Sequence, residues 1–308
     1  MLRSIGIMPT LYEEVRAALR ESEFRPSKRL GQNFLVHEHV LQAIVDLLAL
    51  KTDDLVLEIG PGLGALTRRL VDRAGAVWAV EVDPFLIRRL QQSDLFADPK
   101  FHLISGDILK VPLAEILPKD KIKLIGNLPY SISTPVLFRV LELRDYFSSI
   151  VLMVQKEVAE RIASAPGTKA YGTLSVWCQI HGQVMQKIQV SPEAFFPRPK
   201  VRSTILKMEL YPRPRVPAHE MQVLRGLLRA AFGQRRKTLG NVIGKWLKSG
   251  RDDVEEFLGS QNIDSQRRGE TLSIDNFIDL THALASSHLL RALSADASAD
   301  HNRPQIDC

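Results

Sequence analysis

The sequence predicts an α/β protein: a doubly wound, mostly parallel sheet of about seven strands, followed by a small C-terminal helical domain. Three observations carry this reading. Apolar runs of strand length alternate with helical periodicity from residue 38 to residue 165, the pattern of strands joined by crossover helices. A glycine-rich turn, Gly60-Pro61-Gly62-Leu63-Gly64, follows the first of these runs, at the strand end where such sheets bind ligands. A proline-rich joint, Tyr211-Pro212-Arg213-Pro214-Arg215-Val216-Pro217, then separates this region from a wholly helical pattern.

The elements follow in order. Residues 11–22 have helical spacing and form an N-terminal extension (1–23). Residues 38–49 repeat apolar positions at i, i+3 and i+4, an amphipathic helix. Then come strand 55–59, helix 64–74, strand 76–82, helix 85–92, strand 101–107, strand 122–126, helix 134–143, strand 149–155 and helix 157–165. Residues 186–192 and 202–210 read as two further strands, an antiparallel pair closing the sheet. Helices are expected at 221–233, 237–249, 252–259 and 274–285. The expected division is an extension (1–23), a sheet domain (24–211), a helical domain (212–286) and a small, polar, disordered tail (287–308).

Composition excludes several classes. No apolar run approaches the ~18 residues of a membrane span, and the N-terminus lacks the apolar core of a secretory signal. Two cysteines, Cys178 and Cys308, make no disulfide framework, which fits a reducing cytoplasm. Net charge is +6, yet residues 197–250 alone carry 13 Lys/Arg against 2 Asp/Glu. That segment implies a polyanionic partner, most simply nucleic acid, or else a solvated basic face. His37 and His39 form an HxH pair without further ligands nearby, so no metal is expected.

The chemistry sits at strand ends. Glycines at Gly60 and Gly62 let a ligand approach the backbone. Glu81 closes the second strand, 21 residues after Gly60, where a carboxylate can accept from both ribose hydroxyls. Asp107 closes the third, where a carboxylate can take an adenine amino group. NAD and S-adenosylmethionine both suit this order. Pro61 inside the turn favours the latter, since a nicotinamide enzyme would need the helix N-terminus open to pyrophosphate. Asn127-Leu128-Pro129-Tyr130 follows the fourth run: an amide, a kinked backbone and a ring suited to a flat heterocycle bearing an amino group.

These motifs resemble the ribosomal RNA adenine N6,N6-dimethyltransferase family, most closely its bacterial KsgA (RsmA) type. The resemblance covers about residues 24–285. It rests on Lys28-Arg29-Leu30-Gly31-Gln32-Asn33-Phe34-Leu35, the Glu58-Ile59-Gly60-Pro61-Gly62 turn, Glu81, Gly106-Asp107 and Asn127 to Pro135. Gln155 to Ala159, Tyr171 to Val176, Phe195 to Val201 and Phe232 to Thr238 complete it.

The resemblance implies a Rossmann-like methyltransferase domain using S-adenosyl-L-methionine, and a helical domain that contacts RNA. Asn33 and Leu35 would close over the cofactor, Gly60 and Gly62 would meet its methionine end, Glu81 its ribose and Asp107 its adenine. Asn127 would border both cofactor and target. Leu128 and Pro129 would shape the catalytic backbone, and Tyr130 and Phe195 would stack on the target base, Phe195 being equally readable as a core aromatic. Arg225, Arg229, Arg235, Arg236, Lys237, Lys245 and Lys248 would meet phosphates. The implied substrate is small-subunit rRNA within an assembling ribosomal subunit, dimethylated by a cytoplasmic monomer at two adjacent adenosines in a 3′-terminal hairpin loop. The alternatives are a resistance-type methyltransferase of large-subunit (23S) rRNA adenine, and an RNA-binding assembly or transcription factor with secondary catalysis.

Overall fold

The computed structural model describes residues 10–21, 25–27, 30–287 and 289. Lys28 and Arg29, and all of the tail at 287–308 except Ser287 and Leu289, lie outside the described residues. The chain forms two compact units. One runs to Ala159 and resumes at Val184–Leu210; the other holds Glu160–Gln183 and the chain from Tyr211. The division expected at 24–211 and 212–286 is thereby amended, because an internal segment belongs with the C-terminal helices.

In chain order the first unit contains α1 (Leu11–Glu21), β1 (Phe34–Leu35), α2 (Glu38–Leu48), β2 (Leu55–Ile59), α3 (Ala65–Arg73), β3 (Ala76–Glu81), α4 (Pro84–Gln91) and β4 (Phe101–Ser105). It continues with α5 (Leu113–Ile116), β5 (Ile122–Asn127), α6 (Ser133–Glu142), β6 (Phe147–Gln155) and the start of α7 (Lys156–Ile162). After the excursion come most of β7 (Gly182–Val190), β8 (Phe195–Phe196) and β9 (Ser203–Leu210). Seven strands form one sheet in the order β4-β3-β2-β5-β6-β9-β7. β2 pairs in parallel with β3 and β5, β3 with β4, and β5 with β6. β9 runs antiparallel to β6, with β7 on its other side.

The central strands read as continuous apolar runs because both sheet faces are covered. Val56, Leu57, Leu124, Ile125, Val151 and Leu152 are all buried, each worth about 1.5–3 kcal/mol by removal from water. The strand order reverses between β2 and β5. There the chain leaves in opposite directions and a crevice opens beyond the carboxyl ends of the strands. A second, two-stranded pair escaped the sequence reading: β1 and β8 pair antiparallel, Phe34 with Phe196 and Leu35 with Phe195. On it rests α1, whose Val15 and Leu19 are buried with Phe34, Val36 and Leu86, while Tyr12 meets Phe196 edge-on.

The second unit contains α8 (Thr173–His181), α9 (Met221–Gly233), α10 (Leu239–Leu247), α11 (Arg251–Ser260) and α12 (Ile274–Ser286). The segment around α8 is drawn in by its apolarity: Leu174, Val176, Trp177, Cys178 and Ile180 are all buried. Just before it, the buried Tyr171 donates its hydroxyl proton to the Leu272 carbonyl at 3.0 Å and meets Phe232 edge-on. Phe232 in turn packs on Phe277 of α12, ring centroids 5.5 Å apart. A capping box closes the N-terminus of α12, where Ser273 and Asn276 exchange side-chain to backbone hydrogen bonds.

Helices α9 and α10 approach closely because Gly226 lies under the Trp246 indole. A Cβ at Gly226 would come within 2.3 Å of the ring. Alanine has the better helix propensity by about 1 kcal/mol, but overpacking of this kind typically costs about 1–3 kcal/mol. Gly226→Ala should therefore lower the stability of the protein, read as a reduced urea midpoint at unchanged slope; a raised midpoint would show that Trp246 yields freely.

Candidate active site

The crevice at the strand-order reversal is lined by every residue singled out above for cofactor, catalysis and base stacking: Asn33, Leu35, Gly60, Gly62, Glu81, Asp107, the Asn127–Tyr130 segment and Phe195. Its floor is the turn after β2. Gly62 adopts φ +60°, and the Phe34 ring lies 3.3 Å from where its Cβ would stand, so a side chain there is excluded both by conformation and by space. Phe34 is held in that place by α1 from behind and by Phe196 across the small sheet.

Glu81 ends β3 with its carboxylate partly spoken for. Oε1 accepts from the N–H groups of Val82 and Asp83 at 2.8 and 2.9 Å, and Oε2 from Gly62 N–H at 3.2 Å. These bonds tie the end of β3 to the glycine turn and fix where the remaining lone pairs point. Burial nevertheless raises its pKa, with the backbone donors opposing and the Asp83 charge reinforcing. Asp83 caps α4 by accepting from Phe85 N–H at 2.8 Å, and its other oxygen accepts from the Gln32 side chain at 2.7 Å. Asp107 likewise commits Oδ1 to Leu109 N–H at 2.9 Å.

Asn127 ends β5. Its side-chain N–H donates to the Asn33 carbonyl at 3.1 Å, which turns Oδ1 away as the acceptor. Leu128 is buried and donates its N–H to the Met153 carbonyl at 3.1 Å. The Pro129 carbonyl accepts from Ser133 Oγ at 3.0 Å and from Ile132 N–H at 3.1 Å. Gly31 packs directly on Pro129. The segment 30–35 is therefore clamped between the Asn127 loop and the end of β3. Tyr130 is half-buried. Phe195 is only 4% exposed and belongs to the core cluster while lining the cavity.

Three acids face one cavity. The third, Glu58, was quoted in the turn motif but given no role. It is 1% exposed, and Oε2 has no hydrogen-bond partner among the described residues. Burial pushes its carboxyl up to about 8; the Thr67 hydroxyl, near but outside hydrogen-bonding geometry, offsets part of this, and the Glu81 charge adds to it. Gln32, Asp83, Val15, and the exposed Val82 beside Glu81 also line or brace the cavity without having been singled out. An acidic, partly apolar cavity, with remaining acceptor lone pairs on Glu81 at the end of β3 and on Asp107 just after β4, fits S-adenosyl-L-methionine, which is cationic and carries ribose hydroxyls and an adenine amino group. His37 and His39 lie at the start of α2, ring centroids 5.3 Å apart.

The basic stretch is divided by the fold: Arg198, Lys200, Arg202 and Lys207 stay with the sheet unit, and the rest belong to the helical unit. Of the residues expected to meet phosphates, Arg229, Arg236, Lys237, Lys245 and Lys248 are exposed. Arg225 and Arg235 make contacts within the helical unit. Arg225 lies 4.9 Å over the Trp177 ring, and Arg235 donates to the carbonyls of Lys169 and Tyr171.

A family model described as ribosomal RNA adenine dimethylase matches residues 23–283. A relative from Geobacter metallireducens, ribosomal RNA small subunit methyltransferase A, is 44% identical over 271 residues, 86% of this chain and 98% of the relative. A dimethyladenosine transferase from Plasmodium falciparum superposes with a TM-score of 0.71 at 26% identity, over 82% of this chain and 97% of that one. The 23S rRNA methyltransferase ErmE shares the fold, with a TM-score of 0.61 at 24% identity, over 82% of this chain and all of the other.

Glu58 has a consequence for stability. Its folded carboxyl keeps a proton up to about pH 8, where an unfolded glutamate has lost it near its ordinary value of 4.5. The stabilisation is thus complete below pH 4.5 and is lost as pH rises toward 8. Glu58→Gln, which cannot titrate, should gain in Tm relative to the parent between about pH 5 and about pH 8.5; a Tm difference that does not vary with pH would contradict the shift.

Proposed function

The chain belongs to the ribosomal RNA adenine dimethylase family, and from that premise we propose how its site performs the reaction. It is an S-adenosyl-L-methionine-dependent methyltransferase that dimethylates the 6-amino group of adenine in 16S small-subunit rRNA. Our reading of the substrate is two adjacent adenosines in the 3′-terminal hairpin loop, met within an assembling subunit by a cytoplasmic monomer. The large-subunit alternative is disfavoured: relatives named for the small subunit reach 44% identity over nearly their whole length, against 24% for the large-subunit enzyme.

When bound, S-adenosyl-L-methionine supplies an activated methyl group on a sulfonium. Glu81 would hold its ribose and Asp107 its adenine. Gly60 and Gly62 would leave room at the methionine end, with Asn33 and Leu35 closing over it. The protein's remaining task is the target amine, whose lone pair is delocalised into the adenine ring and so is a poor nucleophile. The observation that carries the reading is the committed Asn127 amide. With its N–H given to Asn33, Oδ1 is left to accept from one amino hydrogen, and the Leu128 carbonyl accepts from the other. Two acceptors set this way favour a pyramidal nitrogen aimed along one line. Positioning of that kind is worth several kcal/mol, up to roughly 7–11 in well-aligned cases. No dedicated base is required, since the alkylated ammonium is strongly acidic.

The base has to leave its stack to reach the cavity. Tyr130 supplies one stacking face, and Phe195 closes the wall behind. Arg229, Arg236, Lys237, Lys245 and Lys248 meet phosphates, with Arg225 and Arg235 adding charge from positions also braced by protein contacts. Such contacts give affinity with little base selection.

Asn127→Ala should leave cofactor binding within a few-fold while methyl transfer falls by about a hundredfold or more. The assay is transfer from labelled S-adenosyl-L-methionine to undermethylated small subunits, mapped by primer-extension stops; ordinary turnover, or label on another nucleotide, would refute the mechanism or the target. Replacing Arg236 and Lys237 together by Ala should weaken RNA binding uniformly and flatten the log K against log salt plot by about one to two units of slope. An unchanged slope would remove these two residues from the phosphate contacts.

A further inference from the structure

The phenol oxygen of Tyr130 and the hydroxyl of Ser203 lie 3.0 Å apart, joined across 73 positions of sequence. Ser203 is 1% exposed and opens β9. Its place follows from topology. β9 is antiparallel to β6, so it starts at the sheet edge where the parallel strands end. Ser203 pairs with Gln155, the last residue of β6, while Asn127, the last residue of β5, pairs with Met153 two positions earlier on β6. The reversed strand thereby delivers a hydroxyl to the edge that carries the Asn127–Tyr130 loop. Among the described residues, the Ser203 hydroxyl is the phenol's hydrogen-bond partner.

On the reading above, in which Tyr130 is the stacking face for the target adenine, we infer that Ser203 is a positioning residue that holds the Tyr130 ring in one orientation before the base arrives. A tyrosine is fixed by two side-chain torsions and, at its far end, by its hydroxyl. The backbone end is already held by the turn in which Pro129 accepts from Ser133 and Ile132. Anchoring the hydroxyl as well leaves the ring little freedom to lose when a base stacks on it, and preorganisation of this kind raises the share of bound complexes with the base seated. Ser203 touches neither the reacting atoms nor the acceptors of the amino group, so it acts through Tyr130 alone.

Because RNA docking rests on phosphate contacts elsewhere, loss of the anchor should appear in the step after docking. Ser203→Ala and Tyr130→Phe each remove one half of the hydrogen bond while keeping the packing. Each should lower kcat on undermethylated small subunits by about tenfold, the scale of one lost hydrogen bond, with KM for the subunit and the dissociation constant of S-adenosyl-L-methionine within about twofold of the parent. The double variant should be no slower than either single one, since the two groups act as a unit. The inference is overturned if either single variant turns over at the parental rate, if cofactor affinity falls in step with kcat, or if the two losses multiply. These outcomes are separate from failure of the underlying reading, which would show as an Asn127→Ala variant with ordinary turnover.

Discussion

The side-chain amide of Asn127 can serve the target amine only if its two ends are told apart, and the Asn33 carbonyl does this. The hydrogen bond joins residues 94 apart in sequence, and much of the surrounding structure maintains it. Asn33 lies on an extended segment whose ends are pinned independently. Gln32 donates to Asp83 beside β3, Gly31 lies on Pro129, and Leu35 pairs with Phe195 in the small sheet. These contacts hold the Asn33 carbonyl where it fixes the amide; without that partner, the amide could present its donor to the base. A donor facing the adenine amino group would repel the hydrogens that the reaction needs accepted. On the proposed mechanism, the segment over the cofactor and the Asn127 acceptor are thus coupled through one hydrogen bond.

The acids of the cavity are arranged by the same economy. Glu81 spends three hydrogen bonds on backbone N–H groups of its own turn and of Gly62, and Asp107 spends one on Leu109. These bonds orient the carboxylates and oppose the cost of burying charge. Glu58 has no such donors at Oε2, and burial accordingly keeps it protonated to about pH 8. A cavity in which Glu58 is kept neutral is less strained than one in which that buried acid also carried charge.

Much of the sheet was legible because its strands are short apolar runs punctuated by glycine and acidic residues, each ending in a motif. The eleven residues read for cofactor, catalysis and stacking converge on one cavity because strand ends at a topological reversal must do so. The parts that were not legible have physical causes. Helix α8 is buried on nearly every side, so Leu174, Val176, Trp177 and Ile180 show no amphipathic period to read. For the same reason its membership of the helical unit could not be seen; long-range contacts such as the Tyr171–Leu272 bond and the Arg225–Trp177 contact reveal it. The β1–β8 pair is two residues long and joins positions about 160 apart, beneath any local pattern. Ser203 had no motif of its own, and only the register of β9 against β6 brings it to the site. Asp83 differs from these, since Asp83-Pro84 is a local and readable helix start.

Selectivity for one RNA loop cannot come from the cavity by itself. Stacking is worth about 1–3 kcal/mol per base and is tolerant of sequence. The two acceptors distinguish an amino-bearing base from one without, but adenines are abundant. Nor, on the proposed reading, can it come from the exposed Lys and Arg of the helical unit, since phosphate contacts fix register and affinity rather than sequence. A target has to satisfy both at once: an adenine that is cheap to unstack, and phosphates placed where Arg236, Lys237 and their neighbours can meet them. Loops of folded RNA meet the first condition far more readily than duplex does. The second is a condition on shape, and shape in rRNA depends on how far the subunit has assembled. On the proposed reading, the short motif at Asn127 therefore needs no sequence code of its own: an unstacked adenine and the phosphates of the same loop are two separate requirements, and a target must meet both.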